Sequence, residues 1–308
     1  MILSASRRTD IPAFYGEWLL CRLEAGEVLI PDPYRAKHAT RLLFSPDTVD
    51  HIVFWTKNPI PFLPRLPKLA GLGYPSFSFQ YTVTAFDKTW EPALPPLAER
   101  IEAFRFLSGT LGRERVDWRF DPIVLDDAHT PFWYAEQFAR LCHDLAPLTT
   151  RCILSFVDHY RHLGKNFAEA APSEIRRTAD LLAPIAAEYG LPLFTCAEEI
   201  DLSGCGISHG ACIDRARMER LLGCGLTAQK DAGQRPACGC MESVDIGAYN
   251  SCGNGCAYCY AVKNRAAALR NLQAHDPASP LLTGQPSPEL ILREKAPPSL
   301  KNGQQRIF

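Results

Sequence analysis

The chain has 308 residues, 46% of them hydrophobic and 22% charged, with a formal net charge of -1. That is an ordinary globular composition, and its balance excludes a global field that would steer the chain to nucleic acid or an anionic membrane. No stretch reaches the roughly 18 uncharged apolar residues of a membrane span, and the N-terminus is too short, with its basic pair on the wrong side, for a signal peptide. A cytoplasmic location is therefore expected, where most of the twelve cysteines would be reduced and close spacings would mean metal or catalysis rather than disulfides.

In chain order, residues 2–6 predict a short strand and 12–24 a helix opened by proline. Residues 52–56 are apolar and β-branched, a strand. Phe77, Phe79, Tyr81 and Val83 alternate with polar neighbours, which is strand period two. Leu97, Ile101, Phe104 and Leu107 recur at helical spacing within 95–111. A strand over 116–124 carries Arg119 and Asp121, and 131–145 is helical. The strand 152–157, the helix 173–189 and the strand 191–196 follow. Strands separated by helices argue for βα units and a largely parallel sheet. Residues 197–242 break the order, being rich in Gly and Cys, and predict an irregular insertion. Residues 243–248 predict one more strand, then a loop and a helix over 257–272. The tail, 274–308, is expected to be loosely ordered. The main part of the α/β body is thus 1–196, and 243–273 completes it. The length suits one α/β barrel of about 200 to 250 residues with an attachment.

Nine of the twelve cysteines lie between Cys196 and Cys259. The tightest group is Cys252-Gly-Asn-Gly-Cys256-Ala-Tyr-Cys259-Tyr260. Three thiolates within eight residues can serve one cofactor only if the backbone curls, and Gly253 and Gly255 permit that. Iron–sulfur clusters normally take four cysteines, so three leave one iron for another ligand. A zinc site drawing on Cys256 and Cys259 is the alternative.

The C-x3-C-x2-C spacing, with an aromatic before the last cysteine, resembles the signature of radical S-adenosylmethionine (SAM) enzymes. The resemblance implies a 4Fe–4S cluster whose open iron chelates SAM. It implies one-electron cleavage to methionine and a 5′-deoxyadenosyl radical, chemistry that belongs to the cofactors. The electron would come from a donor such as flavodoxin or ferredoxin. Cys256-Ala-Tyr-Cys259-Tyr260 is similar to the cluster loop of spore photoproduct lyase and its relatives. So are Arg8-Thr9-Asp10-Ile11, Phe54-Trp55-Thr56-Lys57 and Glu91-Pro92 to motifs those proteins carry along their barrel. The matches run in family order except that the cysteine loop comes last. The fold implied is a partial (β/α) TIM-like radical SAM barrel, circularly permuted, with 243–248 as its first strand beside 2–6. The whole chain also resembles a family of uncharacterised bacterial proteins with such a C-terminal loop.

By this resemblance Tyr258 lies near the adenine, Thr9 with Asp10 beside it and Lys57 contact SAM, and Gln80 falls near a further SAM contact. A helix N-cap is the other role open to Thr9 and Asp10. Where the lyase has its hydrogen-donating cysteine this chain has Arg7, so photoproduct repair is not carried over. Arg7 and Arg8 could instead hold an anionic substrate. Arg119 and Asp121 share one strand face, as pocket residues or as a buried ion pair. The basic stretch 34–41 could contact a phosphate backbone, which leaves nucleic acid among the substrates. Six more cysteines precede the loop. Cys196, Cys212, Cys238 and Cys240 form the best ligand set, for a second 4Fe–4S cluster or a structural zinc. A non-catalytic zinc or iron–sulfur protein, binding nucleic acid or carrying electrons, is the rival reading.

Overall fold

The computed structural model of the chain describes residues 1–305. The last three residues of the expected tail lie outside them. The strands of the main sheet are β1 (Ile2–Ala5), β2 (His51–Thr56), β3 (Phe77–Thr82), β4 (Val116–Ile123), β5 (Cys152–Phe156), β6 (Leu193–Cys196), β7 (Ser208–Gly210) and β8 (Val244–Asp245). They pair in the order β8-β1-β2-β3-β4-β5-β6-β7, and every neighbouring pair is parallel. Among the described residues, no hydrogen-bonded pair joins the two edge strands. β8 lies beside β1, with Leu3 opposite Val244 and Ser4 opposite Asp245. The last strand in sequence thus sits beside the first.

The central strands are covered on both faces, as is usual for a parallel sheet: all five residues of β5 and all but Trp55 in β2 are buried. The crossover helices present one apolar stripe each. In Pro131–Leu145 the buried side chains are Tyr134, Phe138, Leu141, Cys142 and Leu145, a helical repeat. Thr130 caps that helix by accepting from the Trp133 N–H. Phe138 stacks on Trp118 of β4 with ring centroids 5.1 Å apart, a contact in which each ring's burial stabilises by about 2 kcal/mol. No helix among the described residues is long and apolar enough to cross a membrane.

Four expectations change. The helix expected over 12–24 is two helices, Ile11–Phe14 and Gly16–Ala25, separated at Tyr15. The insertion is only partly irregular. It contributes β7 to the main sheet and the helix Arg215–Leu222. β7 can lie against β6 because Gly210 has no side chain: a Cβ there would come 2.8 Å from that of Phe194. The tail, expected to be loose, supplies two strands. Ile291–Lys295 pairs with His38–Leu43, which also pairs with Glu27–Pro31, and Lys301–Gln305 pairs with Cys224–Leu226. The helix expected from 257 begins only at Arg265, where Asn264 caps it.

Candidate functional site

A cavity of about 400 Å³ opens at the C-terminal ends of the parallel strands. That is where parallel α/β folds place their sites. It is lined by Cys252, Cys256 and Cys259 of the loop and also by Cys196, Cys212, Cys238 and Cys240. The two cysteine groups, separate in sequence, share one chamber.

Asp10 shapes the loop. Its carboxylate accepts from Ala13 N (3.1 Å), Thr56 Oγ1 (2.7 Å), Lys57 N (2.8 Å), Asn58 N (3.2 Å) and Asn254 Nδ2 (3.0 Å). It therefore caps Ile11–Phe14, fixes the end of β2 and holds the middle of the cysteine loop. Five donors fill its acceptor sites, so Asp10 positions its neighbours and is not free to bind a ligand. Burial pushes its pKa up against these bonds. Thr9 differs: its Oγ1 is buried with no partner, as is Oδ1 of Asn254, and both residues line the cavity. Gly255 adopts φ +70°, and a Cβ on Gly253 would meet the Phe14 ring at 2.9 Å. The curl of the loop depends on both glycines.

Glu91 clamps the loop from the other side. It is buried and accepts from Lys57 Nζ (2.9 Å), Arg100 Nη1 (3.3 Å), Thr84 Oγ1 (2.9 Å) and the Tyr258 hydroxyl. Backbone bonds from Ala257 N to Trp90 O and from Ala93 N to Asn254 O run beside it. Burial opposes the charge of Glu91, but Lys57 and Arg100 outweigh it and hold its pKa below the ordinary value. Lys57 also lies 5.3 Å over the Tyr258 ring. Burial pushes the Cys252 thiol up to about 12, and Cys256 and Cys259 are raised for the same reason. Ligation there would have to displace thiol protons.

Arg119 forms a two-point bond to Asp121 Oδ2 (3.2 and 2.5 Å) and donates from Nη1 to Cys212 Sγ at 2.7 Å. Ser155 donates to Asp121. Burial disfavours the guanidinium charge, but Cys212 and Asp121 more than restore it. Arg119 and Asp121 both line the cavity as a matched ion pair. Arg7 donates from Nη1 to Ser243 Oγ (3.2 Å), while its Nη2 is buried without a partner. Arg7 and Arg119 lie 4.8 and 5.3 Å from the ring of Trp55.

Gln80 is not brought to the cavity. Its amide donates to Asp117 and to Cys212 O at 3.1 Å, inside a buried network in which Arg151 and Arg217 also pair with Asp117. The position alone aligned it with a cofactor contact, and Asp117 beside it in the sheet takes up its amide. The basic stretch 34–41 is largely neutralised: Arg35 pairs with Asp32, Lys37 with Glu289 and Arg41 with Glu27. Residues that sequence reasoning passed over include Asn254 and Asp245. Tyr160 stacks on Tyr260, and Asp245 accepts from Ser4, Ser6 and Arg7 N. The one available signal was Asn254, a short amide between two permissive glycines. Among the described residues no three His, Cys, Asp or Glu side chains stand ready around a single ion position. A cubane cluster has a different need, since each thiolate takes its own iron.

Together these features define an α/β protein with a parallel eight-stranded sheet and a cysteine-lined chamber at the strand ends. The chain belongs to the family described as Domain of unknown function (DUF1848), whose model matches residues 2–261. No curated protein matches it. A crystal structure described as an alpha-L-fucosidase from Bacteroides thetaiotaomicron aligns at 12% identity over 72% of this chain and 82% of that one. Its TM-score is 0.25, too low for the likeness to carry any argument.

Proposed function

We propose that this protein is a radical SAM enzyme, with Cys252, Cys256 and Cys259 holding a 4Fe–4S cluster whose fourth iron takes SAM. The observation that carries the reading is the shared cavity: the three cysteines line it with Thr9, Lys57 and Tyr258. These residues fit the cofactors. Thr9 Oγ1 and Asn254 Oδ1 are buried polar atoms that lack partners within the chain, as expected beside a polar ligand. When bound, cluster and SAM would supply reductive, one-electron cleavage of SAM and the hydrogen-atom abstraction that follows from it, with the electron drawn from a donor such as flavodoxin or ferredoxin.

The chain's own residues bind and orient. The Lys57 ammonium, steadied by Glu91, would hold the SAM carboxylate, and the Thr9 hydroxyl, buried without a partner in the chain, would hydrogen-bond the same ligand. Tyr258 is anchored through its hydroxyl to Glu91 and packs near Phe86 and Trp90, so it acts as a wall. The fold reading that goes with this is a circularly permuted partial barrel with β8 as the first strand. The pairing of β8 with β1 supports it.

Anaerobic reconstitution with iron and sulfide, followed by dithionite and SAM, is expected to release 5′-deoxyadenosine, and Cys256→Ala to abolish that release. A colourless protein that keeps zinc at the loop and leaves SAM intact would overturn the proposal.

A further inference from the structure

Cys196 ends β6, Cys212 lies two residues beyond β7, and Cys238 and Cys240 flank Gly239. These stretches meet sulfur to sulfur. Cys196 Sγ is 2.8 Å from Cys212 Sγ, and Cys212 and Cys240, like Cys240 and Cys238, lie close enough to perturb each other's thiols. A Cβ on Gly239 would lie 3.3 Å from Gly210 O, so the turn carrying the last two cysteines needs glycine to approach β7. Two polar groups point at the sulfurs: the Arg119 guanidinium at Cys212 and the Ile213 N–H, 3.4 Å from Cys240 Sγ.

A plain apolar core sets cysteine sulfurs against carbon and has no use for a guanidinium. The Arg119 guanidinium donates to Cys212 Sγ at 2.7 Å, a contact that a metal-bound thiolate accepts well. All four cysteines are free, and 2.8 Å is well beyond the ~2.05 Å of a disulfide.

We propose that Cys196, Cys212, Cys238 and Cys240 form a second metal site, independent of the cysteine loop, that holds one tetrahedral, thiolate-preferring divalent ion of the zinc class. The four sulfurs do not yet surround a single ion position, but the closeness of the contacting pair points to one ion rather than a cluster. Four thiolates about 2.3 Å from one zinc stand about 3.8 Å apart. Cys196 and Cys212, 2.8 Å apart, reach that separation by opening about 1 Å. A cubane would spread them roughly twice as far, because each thiolate sits on its own iron. On binding, each ligating thiol gives its proton to solvent, and Arg119 keeps its charge. The ion then joins the end of β6, the segment after β7 and the 238–240 turn, pinning an insertion with a small apolar core.

The test uses the full chain with the loop disabled, Cys252→Ala/Cys256→Ala/Cys259→Ala, so failure of the radical SAM reading does not affect it. Elemental analysis of this variant should find about one zinc per chain. With the loop intact, Cys238→Ala/Cys240→Ala should lower zinc at least tenfold. Should that second variant not fold, the metal-stripped loop variant titrated with cobalt(II) reads the same site. One equivalent should give the thiolate charge-transfer and intense visible bands of a tetrahedral cobalt site. Iron with sulfide in the loop-disabled variant would overturn the single-ion assignment. A Cys196–Cys212 disulfide, or four free thiols that take up neither zinc nor cobalt, would overturn the site altogether.

Discussion

His51, on β2, has both ring nitrogens engaged, Nδ1 with Ser76 Oγ (2.9 Å) and Nε2 with Ser78 Oγ (2.7 Å). It is fully buried. Burial, with Arg115 and Arg217 nearby, lowers its pKa to about 3. The unfolded chain, with an ordinary histidine near 6.5, therefore binds one more proton than the native state between about pH 3 and 6.5. Stability should rise with pH across that window and level off above it. The slope from this one residue approaches about 1.4 kcal/mol per pH unit. Urea unfolding at a series of pH values checks this: His51→Gln should be less stable at pH 7 but should lose this part of the slope. Equal slopes in both proteins would mean another group carries the acid sensitivity.

At the scale of elements, Asp10 joins the helix Ile11–Phe14, the end of β2 and the cysteine loop through its five bonds. Removing it in Asp10→Ala strands several buried donors at once. The expected loss is about 3 kcal/mol or more, seen as a lower urea midpoint. A change below ~1 kcal/mol would mean water or local rearrangement satisfies those donors. The residues Thr9-Asp10 stood out in the sequence as cap or ligand; the structure gives the cap to Asp10 and leaves the Thr9 hydroxyl buried without a partner. The helix Pro131–Leu145 and the strands β2 to β5 were legible because their apolar periods are long and their caps and prolines local. β7 was not, since three residues, Ser208–Gly210, carry no period of their own. What places them is a close approach to Phe194, which lies elsewhere in the chain. The convergence of the loop cysteines with Cys196 and Cys212 in one cavity was hidden likewise. Spacing shows which cysteines are neighbours along the chain, whereas sheet order decides which segments meet.

For the whole molecule, the tail is part of the body. Trp18 Nε1 donates to Ser279 O (2.9 Å), Arg22 Nη2 to Ala278 O (3.1 Å) and Leu29 N to Pro280 O (2.9 Å). Leu282 is 1% exposed. Farther on, Ser299 Oγ and Leu300 N bond Asp50 (2.5 and 2.7 Å), next to the Met1 amine. The composition of this stretch suggested looseness, yet its order comes from the acceptors and donors it offers to the body. Truncation after residue 273 would leave the Trp18 N–H buried without a partner and uncover the apolar surface under Leu282. Those two effects together cost roughly 4 kcal/mol. Truncation after residue 288 keeps both anchors and should cost less, although it removes the exposed strand Ile291–Lys295 and the Ser299 and Leu300 donors to Asp50. Urea midpoints of the two truncations rank the losses. If the shorter chain were as stable as the longer one, the Trp18 and Leu282 contacts would not hold the tail to the body, and the tail's anchor would have to lie at Asp50, beyond residue 288.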